Sequence, residues 1–204
     1  MKYKELIDSV DLYLQKIASG PEEKLKELSN LKTFKSRIEF CIANFPRLKA
    51  GSSRIAFDYS PEYVLKLAKN DKGIAQNNAE ADGFIQNNYK DLVANVKDSD
   101  PNDFWILAQK ATKVSAGQFK ILAGFSLEDL RNYLYTRIEN KKIFPVSDME
   151  MFNENEFVQE LMDLMVNFAM PIGDIVRASS WGKVNDRLVL IDYGLTNSIL
   201  SDMY

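Results

Sequence analysis

A chain of 204 residues is long enough for one large domain with a proper core, or for a domain with an appendage, and 46% hydrophobic with 27% charged residues is ordinary for a soluble globular protein. The net charge of −3 argues against a nucleic-acid partner held by phosphate neutralisation. The complete lack of histidine removes Ser-His-Asp and Cys-His chemistry, HExxH zinc centres and a histidine pH switch.

Residues 3–45 read as helices. Leu6, Val10, Leu14 and Ile17 share one stripe, Gly20-Pro21 interrupts it, and Leu25, Leu28, Leu31 and Phe34 resume it. The only cysteine, Cys41, rules out an intrachain disulfide or a CxxC site. Its neighbours Ile38, Phe40, Ile42 and Phe45 mark it as a buried small hydrophobe. The first five residues are too charged for a signal peptide, and no stretch approaches ~18 apolar residues, so no membrane segment is expected and the compartment reads as reducing and cytoplasmic.

After Pro46 the pattern changes to alternation. Residues 54–59 and 63–68 predict a hairpin turned at Ser60-Pro61-Glu62, and 70–73 a loop. Residues 74–89 predict one polar helix. Residues 92–96 and 104–108 predict two more strands, joined by an Asp/Asn/Pro-rich turn over 98–103. Helices resume near 116: Ser126 caps one, and residues 155–170 form a strongly apolar one that stops at Pro171. A final hairpin turns near Asn185 and ends in Asp192. The expected class is α+β. A helical region over 1–45 precedes a small antiparallel sheet with an inserted helix over 46–113 and a helical part over 114–204. Trp105, Trp181, Met162, Met165 and Met170 read as packing residues. The polar runs Gln76-Asn77-Asn78 and Gln86-Asn87-Asn88 have no role legible in the sequence.

Three residues carry chemistry. Lys66 shares a strand face with Val64 and Ala68; it is either a lysine on an exposed face or one that grips an anion. Glu80, flanked by Ala79 and Ala81, is either a solvated glutamate or the carboxylate that orients such a lysine. The apolar run 188–191 ends in Asp192-Tyr193-Gly194, a strand that delivers one carboxylate at its tip.

In this order the three resemble the protein-kinase family: Val64-Leu65-Lys66 its nucleotide-binding strand lysine, Glu80 the helix glutamate, and Asp192-Tyr193-Gly194 the Asp-Phe-Gly triplet. The resemblance spans roughly residues 47–196 and is nearest to phage and bacterial kinase-like proteins, which implies a bacterial or virus-infected host cell. It implies ATP and Mg²⁺ as cofactors, with Asp192 and Ser179 toward the metal. Gly51, Ser52, Ser53 and Arg54 would lie along the phosphates, and 104–111, with Gln109 and Ala111, would form the hinge that holds the adenine edge. Asp174, eighteen positions before Asp192, would accept the substrate hydroxyl proton, with Lys66 on the phosphates. The sequence departs from the family's pattern. One glycine stands where the loop over the phosphates has three, Ile172 and Gly173 replace the His-Arg before the aspartate, and Val176 and Ser179 replace a lysine and a metal-binding asparagine. Ten residues follow Gly194, leaving no room for an activation loop or a protein-substrate platform. Three readings follow: an ATP-dependent phosphotransferase, a pseudokinase that serves as a binding module for a protein partner, or an unrelated α+β interaction protein.

Overall fold

The computed structural model describes residues 20–140, 146–197, 199 and 201; the stripe expected over residues 3–19 lies outside them. Helix α1, Pro21–Asn30, starts on a proline, which has no N–H to leave unsatisfied there, with Glu22 and Glu23 facing the positive end of the helix dipole. Helix α2, Phe34–Asn44, is capped reciprocally by Thr33 and Ser36. The pair buries Leu25, Leu28 and Cys41 against Ile55, Phe57, Leu65, Leu67 and Leu107 of an antiparallel sheet. The Trp105 indole N–H donates to Ser29 Oγ across the same seam, at 2.9 Å. Burial pushes the Cys41 thiol up to about 12, as expected of an inert core cysteine.

The sheet consists of β1 (Arg47–Ala50), β2 (Arg54–Asp58), β3 (Tyr63–Ala68), β4 (Val96–Ser99) and β5 (Trp105–Gln109), in the order β1-β2-β3-β5-β4. Register decides which chemistry faces where. Ile55 pairs with Leu67 and Phe57 with Leu65, so the alternate positions Arg54, Ala56, Val64 and Lys66 share the opposite face.

Several expected elements need correction. The loop expected over 70–73 is the start of a helix, capped by Asn70, whose side chain accepts Gly73 N–H at 3.1 Å. The single helix over 74–89 is two helices, α3 (Asp71–Glu80) and α4 (Gly83–Asn88). The break falls at Asp82, whose carboxylate accepts the N–H groups of Phe84 and Ile85 and starts a new helix. The strand expected over 92–96 begins only at Val96. Leu92–Asn95 is instead an extended connector lying along the end of the last strand: Leu190 N–H donates to Leu92 O, and Ala94 N–H donates to Leu190 O, both at 2.8 Å.

A second core lies on the far side of the cleft described below. It is built by α5 (Ala116–Ala123), α6 (Leu127–Ile138), α7 (Val146–Asn153), α8 (Glu156–Asn167) and the short α9 (Ile172–Ile175). A three-stranded sheet completes it: β6 (Thr112–Lys113), β7 (Trp181–Val184) and β8 (Arg187–Leu190). Phe119, Tyr133, Phe152, Leu161 and Tyr193 cluster around Trp181, whose indole N–H donates to Ile175 O at 2.7 Å. Asn185 and Asp186, at φ +47° and +65°, make the two-residue turn of a type I′ hairpin, which aims β8 back toward the first sheet.

Because Leu28 is fully buried between α1 and the sheet, Leu28→Ala is expected to cost roughly 2–5 kcal/mol by leaving a cavity at that seam. Urea unfolding monitored by fluorescence of a Trp181→Phe background, in which Trp105 is the remaining tryptophan, measures it, and a loss below about 1 kcal/mol would show that α1 is not part of the cooperative core.

Candidate functional site

Strand β3 delivers Lys66 onto the sheet face away from α1 and α2, and α3 brings Glu80 beneath it. Lys66 Nζ lies 2.5 Å from Glu80 Oε2 and donates to Ile191 O at 2.7 Å. Arg54, one strand over on the same face, donates through Nη2 to Glu80 Oε1 and to Asp192 Oδ1, each at 2.7 Å, and through Nη1 to Asn77 Oδ1 at 3.3 Å. Gly194 N–H adds a bond to Glu80 Oε1 at 3.3 Å. Glu80 is fully buried; burial alone would raise its carboxyl, and Arg54 and Lys66 more than reverse that and hold it below the ordinary glutamate value of 4.5. Burial pushes the Lys66 ammonium down, and Glu80 restores only part of the shift. The Arg54 guanidinium would also fall on burial, but Glu80 and Asp192 raise it.

The polar runs now have partners. Gln76 Oε1 accepts the Ser53 hydroxyl at 2.7 Å, and the amides of Asn77 and Asn78 donate to Asp103 O and Oδ2, each at 2.9 Å. Gln86 donates to Glu80 O and to the Tyr193 hydroxyl, both at 2.8 Å, and accepts Val96 N–H. The Tyr193 hydroxyl donates toward Ala94 O at 3.0 Å. Its burial, together with the nearby Glu80 charge, raises the phenol well above its ordinary range. The aromatic residue after Asp192 is thus a bolt between α3 and the connector. Gly194 is required by contact: a Cβ there would sit 2.4 Å from Gln76 O and 3.0 Å from Glu80 Cγ.

Above this network opens a cleft of about 570 Å³ between the five-stranded sheet and the helical part. Gly51, Ser52, Ser53, Arg54 and Lys66 line it from the sheet, Gln109 and Ala111 from the connection between the two parts, and Asp174, Ser179 and Asp192 from the other side. Glu80 lies behind Lys66 and Arg54, within bonding distance of both. Every residue offered by the sequence as a candidate site residue therefore lines this cleft or, for Glu80, lies directly behind it. The arrangement inside it was not all foreseen. Arg54 bridges two carboxylates as well as lining the cleft, and Asp174 Oδ1 pairs with Arg177 at 2.8 Å. At the connection, Gln109 N–H donates to Asn95 O and Lys110 N–H to Glu62 O, both at 2.7 Å, while Gln109 Oε1 is buried and accepts no hydrogen bond among the described residues. The bridging by Arg54 had a sequence signal: on β2 it alternates onto the face that Lys66 occupies on β3.

No family model matches the chain, and no curated protein matches it. Solved structures similar to it include two aminoglycoside phosphotransferases. One is the aminoglycoside phosphotransferase APH(2'')-Ib bound to ADP, 16% identical, with 79% of this chain and 69% of that one covered and a TM-score of 0.37. The other is the ternary complex of streptomycin, ATP and APH(2")-IIa, 15% identical, with 81% and 71% covered and a TM-score of 0.36.

The charges in the cleft are one-sided. Lys49, Arg54, Lys66, Lys110, Lys113 and Arg177 line it against Asp174 and Asp192, and with Glu80 and Asp58 paired to lining cations from behind, a surplus of two positive charges remains, in a chain whose net charge is −3. Such a cleft concentrates anions. A divalent cation fits poorly. Mg²⁺ asks for near-octahedral oxygen ligands, but Asp192 Oδ1 is engaged by Arg54, Ser179 brings only a hydroxyl, and no group of three or more His, Cys, Asp or Glu side chains comes together among the described residues. No helix among those residues is long and apolar enough to cross a membrane.

Two outcomes test the network. Gly194→Ala is expected to cost about 1–3 kcal/mol by forcing the Asp-Tyr-Gly segment off α3, read from the shift of the urea midpoint; no shift would mean the contact is soft. Because the Glu80 carboxyl is held low in the folded state, its contribution is present above pH 4.5 and is lost as pH falls through the folded value. Glu80→Gln is therefore expected to cost roughly 3–5 kcal/mol near neutral pH, and the gap to the wild type should narrow in acid. A gap that is constant with pH would show that the charge of Glu80 is not what stabilises the site.

Proposed function

We propose that the chain is a kinase-like nucleotide-binding domain whose cleft holds a nucleoside di- or triphosphate. The observation that carries this reading is the buried Lys66–Glu80 pair opening onto Asp192 at the floor of the cleft. Lys66 has three donors and spends two, on Glu80 and Ile191, so one remains for a phosphate oxygen. The surplus of lining cations supplies the remaining charge. The base would sit toward the connection between the two parts, against Val64, Ala56 and Ile191.

Phosphoryl transfer is a second reading, favoured by Asp174 lining the same cleft as Lys66. Its carboxylate would accept the proton of an attacking hydroxyl as that oxygen bonds to the γ-phosphorus and the β-phosphate oxygen leaves. The ion pair with Arg177 must loosen for Asp174 to act. The pseudokinase alternative keeps the nucleotide without turnover, and a protein partner belongs to that reading.

Thermal unfolding with millimolar ATP and MgCl₂ tests the binding. Saturation at about 100 times the dissociation constant should stabilise the chain by about 2.7 kcal/mol, and Lys66→Met should remove the effect. An unchanged transition in the wild type would overturn the nucleotide reading. If transfer occurs, Asp174→Asn should lower turnover by at least a hundredfold while leaving the thermal shift in place.

A further inference from the structure

We infer that Arg54 stands where a divalent cation would otherwise bridge carboxylate and phosphate, so that the cleft binds a polyphosphate without a metal ion. The inference rests on the nucleotide reading and concerns how that ligand is held. Arg54 Nη2 lies 2.7 Å from Asp192 Oδ1, so the guanidinium already occupies one of the two oxygens this carboxylate could offer a metal. An ion there would sit about 2 Å from the same oxygen, which brings two cations together in a confined site. The guanidinium is not free to swing away: Glu80 Oε1 holds it at 2.7 Å and Asn77 Oδ1 at 3.3 Å, and its side chain is only 10% exposed.

Charge and donor counts agree. Lys66 and Arg54 against Glu80 and Asp192 make a neutral quartet before any ligand arrives, so Asp192 has no unbalanced charge to draw a metal. Arg54 has five N–H donors, of which three are spent on Glu80, Asp192 and Asn77 among the described residues. The remaining two and the third proton of Lys66 have no partner among the described residues, and these are the charged donors a phosphate would take. A guanidinium also meets phosphate oxygens in a fork, which makes it a direct substitute for a bridging ion in binding.

Isothermal titration of the full chain with ATP and with ADP, in excess EDTA and again in saturating MgCl₂, tests this. The expected result is binding in EDTA with a dissociation constant within threefold of that in MgCl₂. Affinity at least tenfold weaker in EDTA would overturn the metal-free site while leaving the nucleotide cleft intact, and no binding in either buffer would overturn both. Two variants make the assignment to Arg54 specific. Asp192→Asn removes a competitor for the guanidinium and should tighten binding in EDTA at least threefold; weakening would mean Asp192 serves a metal. Arg54→Gln should lose EDTA binding at least tenfold. Should that variant fail to fold, Asp192→Asn still decides the question.

Discussion

Glu80 is the fixed point of this molecule. It is a fully buried carboxylate, and a buried charge is tolerable only if its lone pairs are used. Three parts of the chain meet that need: β2 through Arg54, β3 through Lys66, and the segment after β8 through Gly194. The three are far apart in sequence, so the requirements of one side chain tie α3, the first sheet and the end of the last hairpin into a single arrangement. The cleft is the space left above them.

Around that charge lies a shell of amides. Gln76, Asn77, Asn78 and Gln86 place α3 and α4 by bonds to Ser53, Asp103, Tyr193 and Val96 rather than by apolar packing. This explains a helix with only a thin apolar face in a buried place: its contacts are with a polar site, and the buried amides of Gln76 and Asn77 answer groups that burial would otherwise strand. The apolar cores lie elsewhere, one between α1, α2 and the far face of the first sheet, the other among the helices around Trp181. The cleft sits between two conventional cores and inherits its rigidity from them.

The placement of Arg54 gives the site its character. In a cleft lined by six cations and two carboxylates, the carboxylate best placed for a metal is already neutralised from inside the chain. A lysine and an arginine on adjacent strands, facing one way, offer charge and directed donors to an anion without first recruiting an ion. The same ion pair ties the sheet to the Asp-Tyr-Gly segment, so a ligand that engages Arg54 acts on the contact that joins the two sides of the cleft.

Much of this was legible in the sequence. Period-2 alternation placed Lys66 on one face of a strand and its leucine neighbours on the other, because side-chain direction follows from local backbone geometry. Ser126 and Asn155 marked helix starts for equally local reasons, whereas the apolar helix ends at Asn167, ahead of the Pro171 expected to stop it, as the chain turns at Ala169 with φ +48°. The helix break at Asp82 was local too, though it was masked by a helical pattern that continued past it. What the sequence could not give was pairing beyond the two hairpins it predicted. That Leu92–Asn95 lies along β8 instead of joining the first sheet depends on where β8 arrives. That Arg54 reaches both Glu80 and Asp192, 138 positions away in the second case, depends on the register of β2 with β3 and on the turn at Asn185-Asp186. The sequence by itself determined the elements, the faces and the residue types able to do chemistry, since each is set by neighbours along the chain. Only the tertiary structure decided which charges neutralise one another, because a buried carboxylate selects its partners by distance in space.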